Sequence, residues 1–392
     1  MSNPPSTIEN LEHLLAEGGF SPRFNVIKKR IEIRHDDGFP ASMNEIASFA
    51  QLHGYGTNWL YSYVDEIAAR RPYNPVGEWI SSKPWDGVDR LEDLYRTVRE
   101  RPDYPPCLKK ILLYRWLLSL TAAAISDKRF RTRGVLTLQG PQAIGKTSWI
   151  AVLLPAGLMR NEFVKLDHHL DPANKDSVLG AVSHLLVEIG ELDSSFKKDV
   201  ARLKGFLTSD CDKLRRPYGR DESEYDRRTV FAATVNEETF LVDATGNSRW
   251  YTIAVDGLDF DHQIDMQQVH AQLAVDLKAG AQWWLTQDEE RQLAAYNRRH
   301  RSVSAIAERI RDYIDPDMIG DPNGIPKTAI EVLSAIGISN PTNVQCKEAG
   351  AALRELIGSP RRINGRDRWR ITIKRDPKLH RLNPAYDPDD EY

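Results

Sequence analysis

Gly134-Val135-Leu136-Thr137-Leu138-Gln139-Gly140-Pro141-Gln142-Ala143-Ile144-Gly145-Lys146-Thr147-Ser148-Trp149 decides how the rest of the chain is read. An apolar, β-prone run enters Gly-x-x-x-x-Gly-Lys-Thr, and an apolar segment suited to a helix leaves it. Strand, glycine loop and helix in that order are the context a phosphate-binding loop requires. Gly140 and Gly145 let the backbone wrap a polyphosphate, so that N–H groups face the anion. Lys146 has the reach for the β- and γ-phosphates, and the Thr147 hydroxyl suits Mg²⁺. Residues Gly140, Pro141, Gln142, Ala143, Ile144, Gly145, Lys146, Thr147 and Ser148 are therefore the expected nucleotide-binding set, with ATP and Mg²⁺ as ligands.

Working outward, a nucleotide-hydrolysing core needs an apolar strand ending in a carboxylate, expected beside the loop strand. His184-Leu185-Leu186-Val187-Glu188-Ile189-Gly190-Glu191 has that form. Glu191 stands where the strand should end and is the first choice of acid, also as metal ligand. Glu188 lies within the run on the other face, because strand side chains alternate. It fits either a second acid or a structural partner for a cation. Thr229 to Val235 is a second buried-type strand, and Asn236 at its tip is placed to orient an attacking water. Arg249 precedes a further strand, Tyr251 to Val255, in a loop with little apolar cover. It is a candidate arginine finger acting on a neighbouring subunit's transition state. Asp167-His168-His169 reads as a solvated loop rather than a chelate. Residues 194–228 are rich in charge, with a basic stretch from Lys213 to Arg220.

The chain has 392 residues, 28% charged and 41% hydrophobic, with a formal net charge of -3. This is the composition of a globular protein of two or three domains. The balance excludes a generally basic nucleic-acid binder, so DNA contact has to come from a local patch. Three widely spaced cysteines, Cys107, Cys211 and Cys346, argue against a disulfide framework and for a reducing compartment. No signal peptide is visible at the N-terminus, and the most apolar run, Ile111 to Ile125, is too short to span a bilayer. The expectation is a cytoplasmic protein without a membrane contact.

Before the loop, Met43 to His53 and Thr57 to Ala69 carry helical periodicity around a Gly54-Tyr55-Gly56 turn. Residues 1–110 are thus expected to be a helical region, either a DNA-binding or oligomerisation module or a scaffold on the core. Tryptophans 79 and 85 read as packing anchors. The ATPase core is placed at 111–300. Thr286 reads as the N-cap of a helix beginning Gln287-Asp288-Glu289. Positions 301–375 show helices near Ala305–Ile314, Lys327–Ile336 and Asn343–Ile357. A β-hairpin turning at Asn364-Gly365 follows. Three helices and a hairpin give a winged-helix-like domain. Arg361 to Arg375 holds seven basic residues and one acid. Arg361, Arg362, Arg366, Arg368 and Arg370 are the expected DNA-phosphate contacts, with Trp369 for packing or stacking. Residues 376–392, rich in Pro and Asp, read as a disordered tail.

Several of these motifs together resemble one family. They are Asn74-Pro75-Val76, Trp85-Asp86-Gly87-Val88, the Gly140 to Thr147 loop, Val187-Glu188-Ile189-Gly190-Glu191-Leu192-Asp193, Thr245-Gly246-Asn247-Ser248-Arg249 and Trp283-Trp284-Leu285-Thr286. From about residue 70 to 300 the chain resembles the virulence-associated E family, grouped with superfamily III-like helicases of phages, plasmids and integrated elements. The resemblance implies an α/β fold with a P-loop, AAA+-like ATPase core and a hexameric ring that unwinds DNA during replication of a mobile element. It implies nucleotide roles for Lys146 and Thr147, Walker B acids at Glu191 and Glu188, sensor 1 at Asn236, and trans-acting arginines at Arg249 and Arg216. Many relatives carry an N-terminal primase-polymerase domain, for which these residues leave no room, so the partners expected are single-stranded or forked DNA and a separate primase. Ala143 stands where relatives commonly have glycine, which an ordinary backbone dihedral would tolerate. Two other readings remain beside the ATP-dependent helicase: an ATP-switched replication initiator, and an ATPase subunit of a phage-interference system.

Overall fold

The computed structural model describes residues 5–127, 129–190, 200–214, 223–238, 240–241, 247–300 and 305–374. Glu191, Arg216 and the tail 376–392 lie outside the described residues. The chain divides into two compact units at His300/Arg301.

The first unit begins with α1 (Ile8–Glu17), the hairpin β1 (Phe20–Asn25) and β2 (Arg30–His35), and β3 (Pro40–Ala41). Helices α2 (Met43–Leu52) and α3 (Leu60–Ala69) and strand β4 (Pro72–Tyr73) follow. The two helices stand where periodicity puts them, and Ser42 starts α2 with a full capping box to Glu45. The expectation of a purely helical N-terminal region is corrected, however. The four strands form a sheet in the order β3-β2-β1-β4. Its signal is the period-two alternation of Arg30-Ile31-Glu32-Ile33-Arg34, in which Ile33 is buried while Arg30 and Arg34 are exposed. Leu11, Leu15, Ile46, Val64 and Ile67 close the core of this part.

Next come α4 (Pro75–Ile80), α5 (Leu91–Arg96), β5 (Val98–Glu100) and α6 (Pro106–Ile125). Asn74 caps α4 by accepting from Gly77 N at 3.0 Å, and its amide reaches on to the Ala124 carbonyl at the end of α6. Helix α6 is buried nearly all round, which is why its sequence shows no polar face. Trp116 Nε1 pins it to the sheet by donating to the Phe231 carbonyl at 2.8 Å.

The core continues through β6 (Val135–Gln139), α7 (Lys146–Ala151), α8 (Leu158–Phe163), β7 (Val164–Lys165), α9 (Lys175–Val182) and β8 (Leu186–Ile189). After α10 (Val200–Leu207) and the hairpin β9 (Cys211–Leu214) and β10 (Ser223–Asp226), it closes with β11 (Val230–Val235) and β12 (Trp250–Leu258). The six-stranded sheet runs β5-β12-β6-β11-β8-β7. Its strands are parallel except for β5 at the edge. Burial on both faces explains the largely apolar runs of β6, β8 and β11. The acid-bearing β8 is not beside the loop strand β6, as expected, but one place further out, with β11 between them.

Helices α11 (Met266–Lys278) and α12 (Gln287–Asn297) complete this unit. Thr286 caps α12 with a reciprocal Glu289 bond, as its sequence indicates. Three amides of α11 fasten the segment before α5 through its backbone. Gln267 Nε2 donates to the Ile80 and Lys83 carbonyls, Gln268 Oε1 accepts from Asp86 N, and Gln272 Oε1 accepts from Arg90 N. Trp85-Asp86-Gly87-Val88 is the turn so held. Trp85 Nε1 donates to the Val88 carbonyl, Asp86 pairs with Arg90, and Gly87 has φ 87°.

The second unit comprises α13 (Ala305–Tyr313), β13 (Ile325–Lys327), α14 (Ala329–Ala335), α15 (Asn343–Ile357), β14 (Arg361–Ile363) and β15 (Arg366–Ile371). The sheet order is β13-β15-β14, so a third strand joins the expected hairpin. Asn364 and Gly365 have φ 51° and 74°, the left-handed pair that a two-residue hairpin loop demands. Trp369 is 4% exposed and donates to the Gly358 carbonyl at 3.0 Å, so it packs the core of this unit rather than presenting a stacking face.

Candidate active site

The glycine loop leaves β6 at the carboxyl edge of the parallel strands, where open α/β sheets place their ligand crevices. A Cβ on Gly140 would lie 2.2 Å from the Val255 carbonyl oxygen of the neighbouring strand, so only glycine fits there. Gly145 has φ 90°, and a Cβ on it would lie 2.5 Å from the Phe260 ring. Ala143 has φ 65°. The ordinary dihedral assumed for it is therefore corrected: an L-residue occupies the left-handed region there, at a cost of roughly 1–2 kcal/mol.

Lys146 is 7% exposed. Its ammonium donates to the Gly140 and Pro141 carbonyls, both at 2.7 Å, and to Asn236 Oδ1 at 2.8 Å. Burial lowers its pKa from the usual lysine range, and the Glu188 carboxylate opposes that shift. Asn236 reaches the lysine because β11 lies directly beside β6, with Val235 opposite Gln139.

Glu188 is 1% exposed, and both its oxygens are engaged. Oε1 accepts from Thr234 Oγ1 at 2.6 Å and from Thr147 Oγ1 at 3.3 Å, and Oε2 accepts from Asp167 N at 2.6 Å. The register explains the meeting. Glu188 pairs with Ala232, and Thr234 stands two residues on, on the same face of the sheet. The partners of Glu188 are thus hydroxyl and N–H groups at the loop, with no direct ion pair among the described residues.

These groups wall an open cavity of ≈ 640 Å³, in the range of ligand sites. Gln142, Ala143, Gly145, Lys146, Thr147 and Ser148 line one side, and Asp167, Glu188, Thr234 and Asn236 the other. Gly140 and Pro141 contribute carbonyls to Lys146, and Ile144 packs behind the loop. Five lining residues were not among the expected site residues: Asp167, Gly190, Thr234, Glu237 and Phe260. The solvated-loop reading of Asp167-His168-His169 is corrected for His168 alone, since Asp167 and His169 are exposed. His168 is 8% exposed, and its N–H donates to the Glu188 carbonyl at 2.9 Å. Asp167, at φ 50°, packs so close to Gly190 that a Cβ there would lie 2.0 Å from Asp167 Oδ1. The hydroxyl and carboxylate oxygens of Thr147 and Glu188 are the hard donors that Mg²⁺ takes, as one or two protein ligands beside water and phosphate. Among the described residues no group of three or more His, Cys, Asp or Glu could hold a metal ion.

Arg249 ends a 3₁₀ turn, Asn247–Arg249, at the start of β12. Its neighbour Trp250 pairs with Val135, the first residue of β6, whereas the loop follows the last, Gln139. Four strand steps at about 3.3 Å put Arg249 at the opposite edge of the sheet from its own chain's lysine. In the second unit Arg361, Arg362 and Arg366 are exposed on the hairpin. Arg368 instead pairs with Glu331 at 3.1 Å, and Arg370 donates to the Pro322 and Gly324 carbonyls.

The virulence-associated protein E-like domain, as a family, matches residues 80–302. That span includes the loop, Lys146, Thr147, Glu188, Asn236 and Arg249. The chain belongs to the virulence-associated protein E-like family. Membership covers the six-stranded sheet and its site but not the N-terminal sheet or the second unit. No curated protein matches the chain. Solved structures similar to it include apo forms of the NrS-1 C-terminal region. One, of residues 305–718, shares 14% identity over 93% of this chain and 98% of that one, with a TM-score of 0.38. Two A-form structures share 15% identity, one over 91% of this chain and 98% of that one (TM-score 0.39), the other over 93% and 99% (0.40). Among the described residues no helix is long and apolar enough to cross a membrane.

Proposed function

We propose that this protein is an ATP hydrolase with an AAA+-like core, acting as a DNA helicase in the replication of a phage or other mobile element in a bacterial cytoplasm. The observation that carries the reading is the convergence of Lys146, Thr147, Glu188 and Asn236 on one cavity at the carboxyl edge of a parallel sheet. Such a set supplies what phosphoryl transfer needs, namely positioning and positive charge. The loop backbone seats the polyphosphate, and Lys146 neutralises charge growing on it. Glu188 fixes the hydroxyls of Thr147 and Thr234, so that Thr147 stays turned to the cavity. Mg²⁺, held by Thr147 with Glu188 or Glu191, would supply further charge neutralisation. Asn236 orients the attacking water, and Glu191 remains the proposed residue to polarise it.

Arg249, too far from its own site, is proposed to complete the site of a neighbouring subunit in a ring, with Arg216 in the same role. The family resemblance implies a hexamer, and six is the subunit number proposed. The second unit is read as a winged helix whose free arginines, Arg361, Arg362 and Arg366, bind DNA phosphates.

The test is ATP hydrolysis with and without single-stranded DNA, with Lys146→Ala as the blank. Stimulation by single strands, abolished in the variant, supports the motor. Turnover indifferent to DNA moves the reading to the ATP-switched initiator, and turnover retained in Lys146→Ala removes the site assignment.

A further inference from the structure

A second cavity, ≈ 460 Å³, adjoins the phosphate-loop cavity. Phe260 lines both. Its ring, 37% exposed, sits against the Cα of Gly145. Helix α7 carries the first cavity into the second: Ser148 lines one and Val152, just past the end of the helix, lines the other. Four residues separate them, about 6 Å along a helical path and on the same face. A ligand whose phosphates sit on the loop and whose body follows this face enters the second cavity next.

The walls there suit a flat heteroaromatic ring. Phe260, Trp79, Val152, Pro155 and Ile264 are apolar. Trp79 is held edge-on against His270, their ring centroids 5.6 Å apart. Of the charged residues lining it, Asp261 is exposed, and Arg160 and Asp265 are engaged elsewhere. Arg160 donates to the Leu154 carbonyl, and Asp265 caps α11 by accepting from Gln267 and Gln268 N–H groups. His262 is the exception. Its Nδ1 accepts from Ile264 N at 3.4 Å, and its Nε2 is buried with no hydrogen-bond partner among the described residues. Burial lowers the His262 pKa from its ordinary value, so the ring is held neutral. The neutral ring adds a further flat, uncharged wall to the cavity.

We propose that the cavity between Phe260, Val152 and His262 is the nucleobase subsite, in which a purine stacks against Phe260 beside the His262 side chain. The assignment rests on the ATP reading of the phosphate loop and adds to it the specificity-determining residues. A purine stacked against Phe260 buries an apolar face that a bare polyphosphate lacks, so the base contributes affinity of its own.

The test compares Mg-ATP with Mg-tripolyphosphate binding, by calorimetry, to the full chain and to two variants. The intact chain is expected to bind ATP at least about tenfold more tightly than tripolyphosphate. His262→Ala is expected to weaken ATP by about 3- to 10-fold and leave tripolyphosphate unchanged. Val152→Trp, which fills the slot, is expected to weaken ATP by about tenfold or more with the same indifference to tripolyphosphate. If Val152→Trp does not fold, His262→Ala carries the test, since it only shortens a partly exposed loop side chain. Equal affinity of the intact chain for the two ligands overturns the base slot and leaves the phosphate site standing. Loss of both ligands in parallel in the variants overturns it too. Binding of neither ligand to the intact chain overturns the ATP reading itself, and the slot with it.

Discussion

The Lys146 ammonium lies 2.8 Å from Asn236 Oδ1, joining the glycine loop of one strand to the tip of its neighbour. On the proposed function the amide stands where it would sense what the lysine holds. Asn236→Ala is expected to keep nucleotide affinity within about threefold while lowering kcat by roughly 10²-fold, the loss typical of one positioned polar group. Steady-state hydrolysis and equilibrium binding on the same preparation check this. A matched loss of affinity and turnover would show that Asn236 only props the lysine.

Ala143 carries φ 65° in the loop. Replacing it with glycine removes about 1–2 kcal/mol of left-handed strain and adds about 0.4–1 kcal/mol of chain entropy to the unfolded state. Ala143→Gly should therefore unfold at the same temperature or slightly higher. Calorimetry decides it, and a clear drop in Tm would mean that the methyl group makes a contact worth more than its strain.

His270 is fully enclosed. Its Nδ1 faces the Thr121 hydroxyl at 2.9 Å, its Nε2 faces the Leu153 carbonyl at 3.3 Å, and burial pushes its pKa down to about 4. Its folded pKa lies below the ordinary value of 6.5. Between those pH values the unfolded chain binds a proton that the folded chain refuses, so this contribution to stability is intact above pH 6.5 and lost as pH falls toward 4. His184, also lowered to about 4 by burial, acts in the same direction. Each should add a slope of about 1.4 kcal/mol per pH unit in that window. Urea unfolding at several pH values should show His270→Gln with a shallower acid limb than the parent.

Arg249→Ala is expected to bind nucleotide normally and to lose turnover. Mixing it with Lys146→Ala provides the sharper measurement. If the arginine acts across an interface, mixed assemblies pair an intact lysine site with an intact arginine, and hydrolysis partly returns. No recovery on mixing, with both variants shown to assemble, would place the arginine's role within its own subunit.

The hairpin arginines divide into two groups. Arg361, Arg362 and Arg366 are exposed, so their replacement by alanine should weaken DNA binding and reduce the salt slope of log K by about 0.7–0.9 for each phosphate no longer neutralised. Arg368 is bonded to Glu331 and to the Pro326 carbonyl. Arg368→Ala should leave the slope unchanged and lower the stability of its unit by up to about 1 kcal/mol. Titrations at several salt concentrations separate the two.

What was legible in the chain were elements whose pattern is local. Strands β6, β8 and β11 announce themselves as largely apolar runs because both faces are covered. Thr286 with Glu289, and Asn364 with Gly365, are short signals with one structural meaning each. What was hidden depends on topology. Strand β7 has two residues, too few for any periodicity, yet it delivers Asp167 to Glu188. Phe260 belongs to a connecting loop and meets Gly145 only because β12 lies beside β6. Glu188 gains its hydroxyl partners from the pairing of β8 with β11, an order that no stretch of either strand contains.

The fastening of residues 80–90 by Gln267, Gln268 and Gln272 uses neutral amides, mostly on main-chain groups, with the Asp89 carboxylate as the one charged partner among the described bonds. Ionic strength has little to screen there, and the amides do not titrate. On the proposed function the protein works amid shifting counter-ions, which loosen exposed ion pairs such as Arg101 with Glu238. The joint made by α11 stays closed through such changes. Its specificity for main-chain atoms also leaves most side chains of the fastened segment free to vary without releasing it.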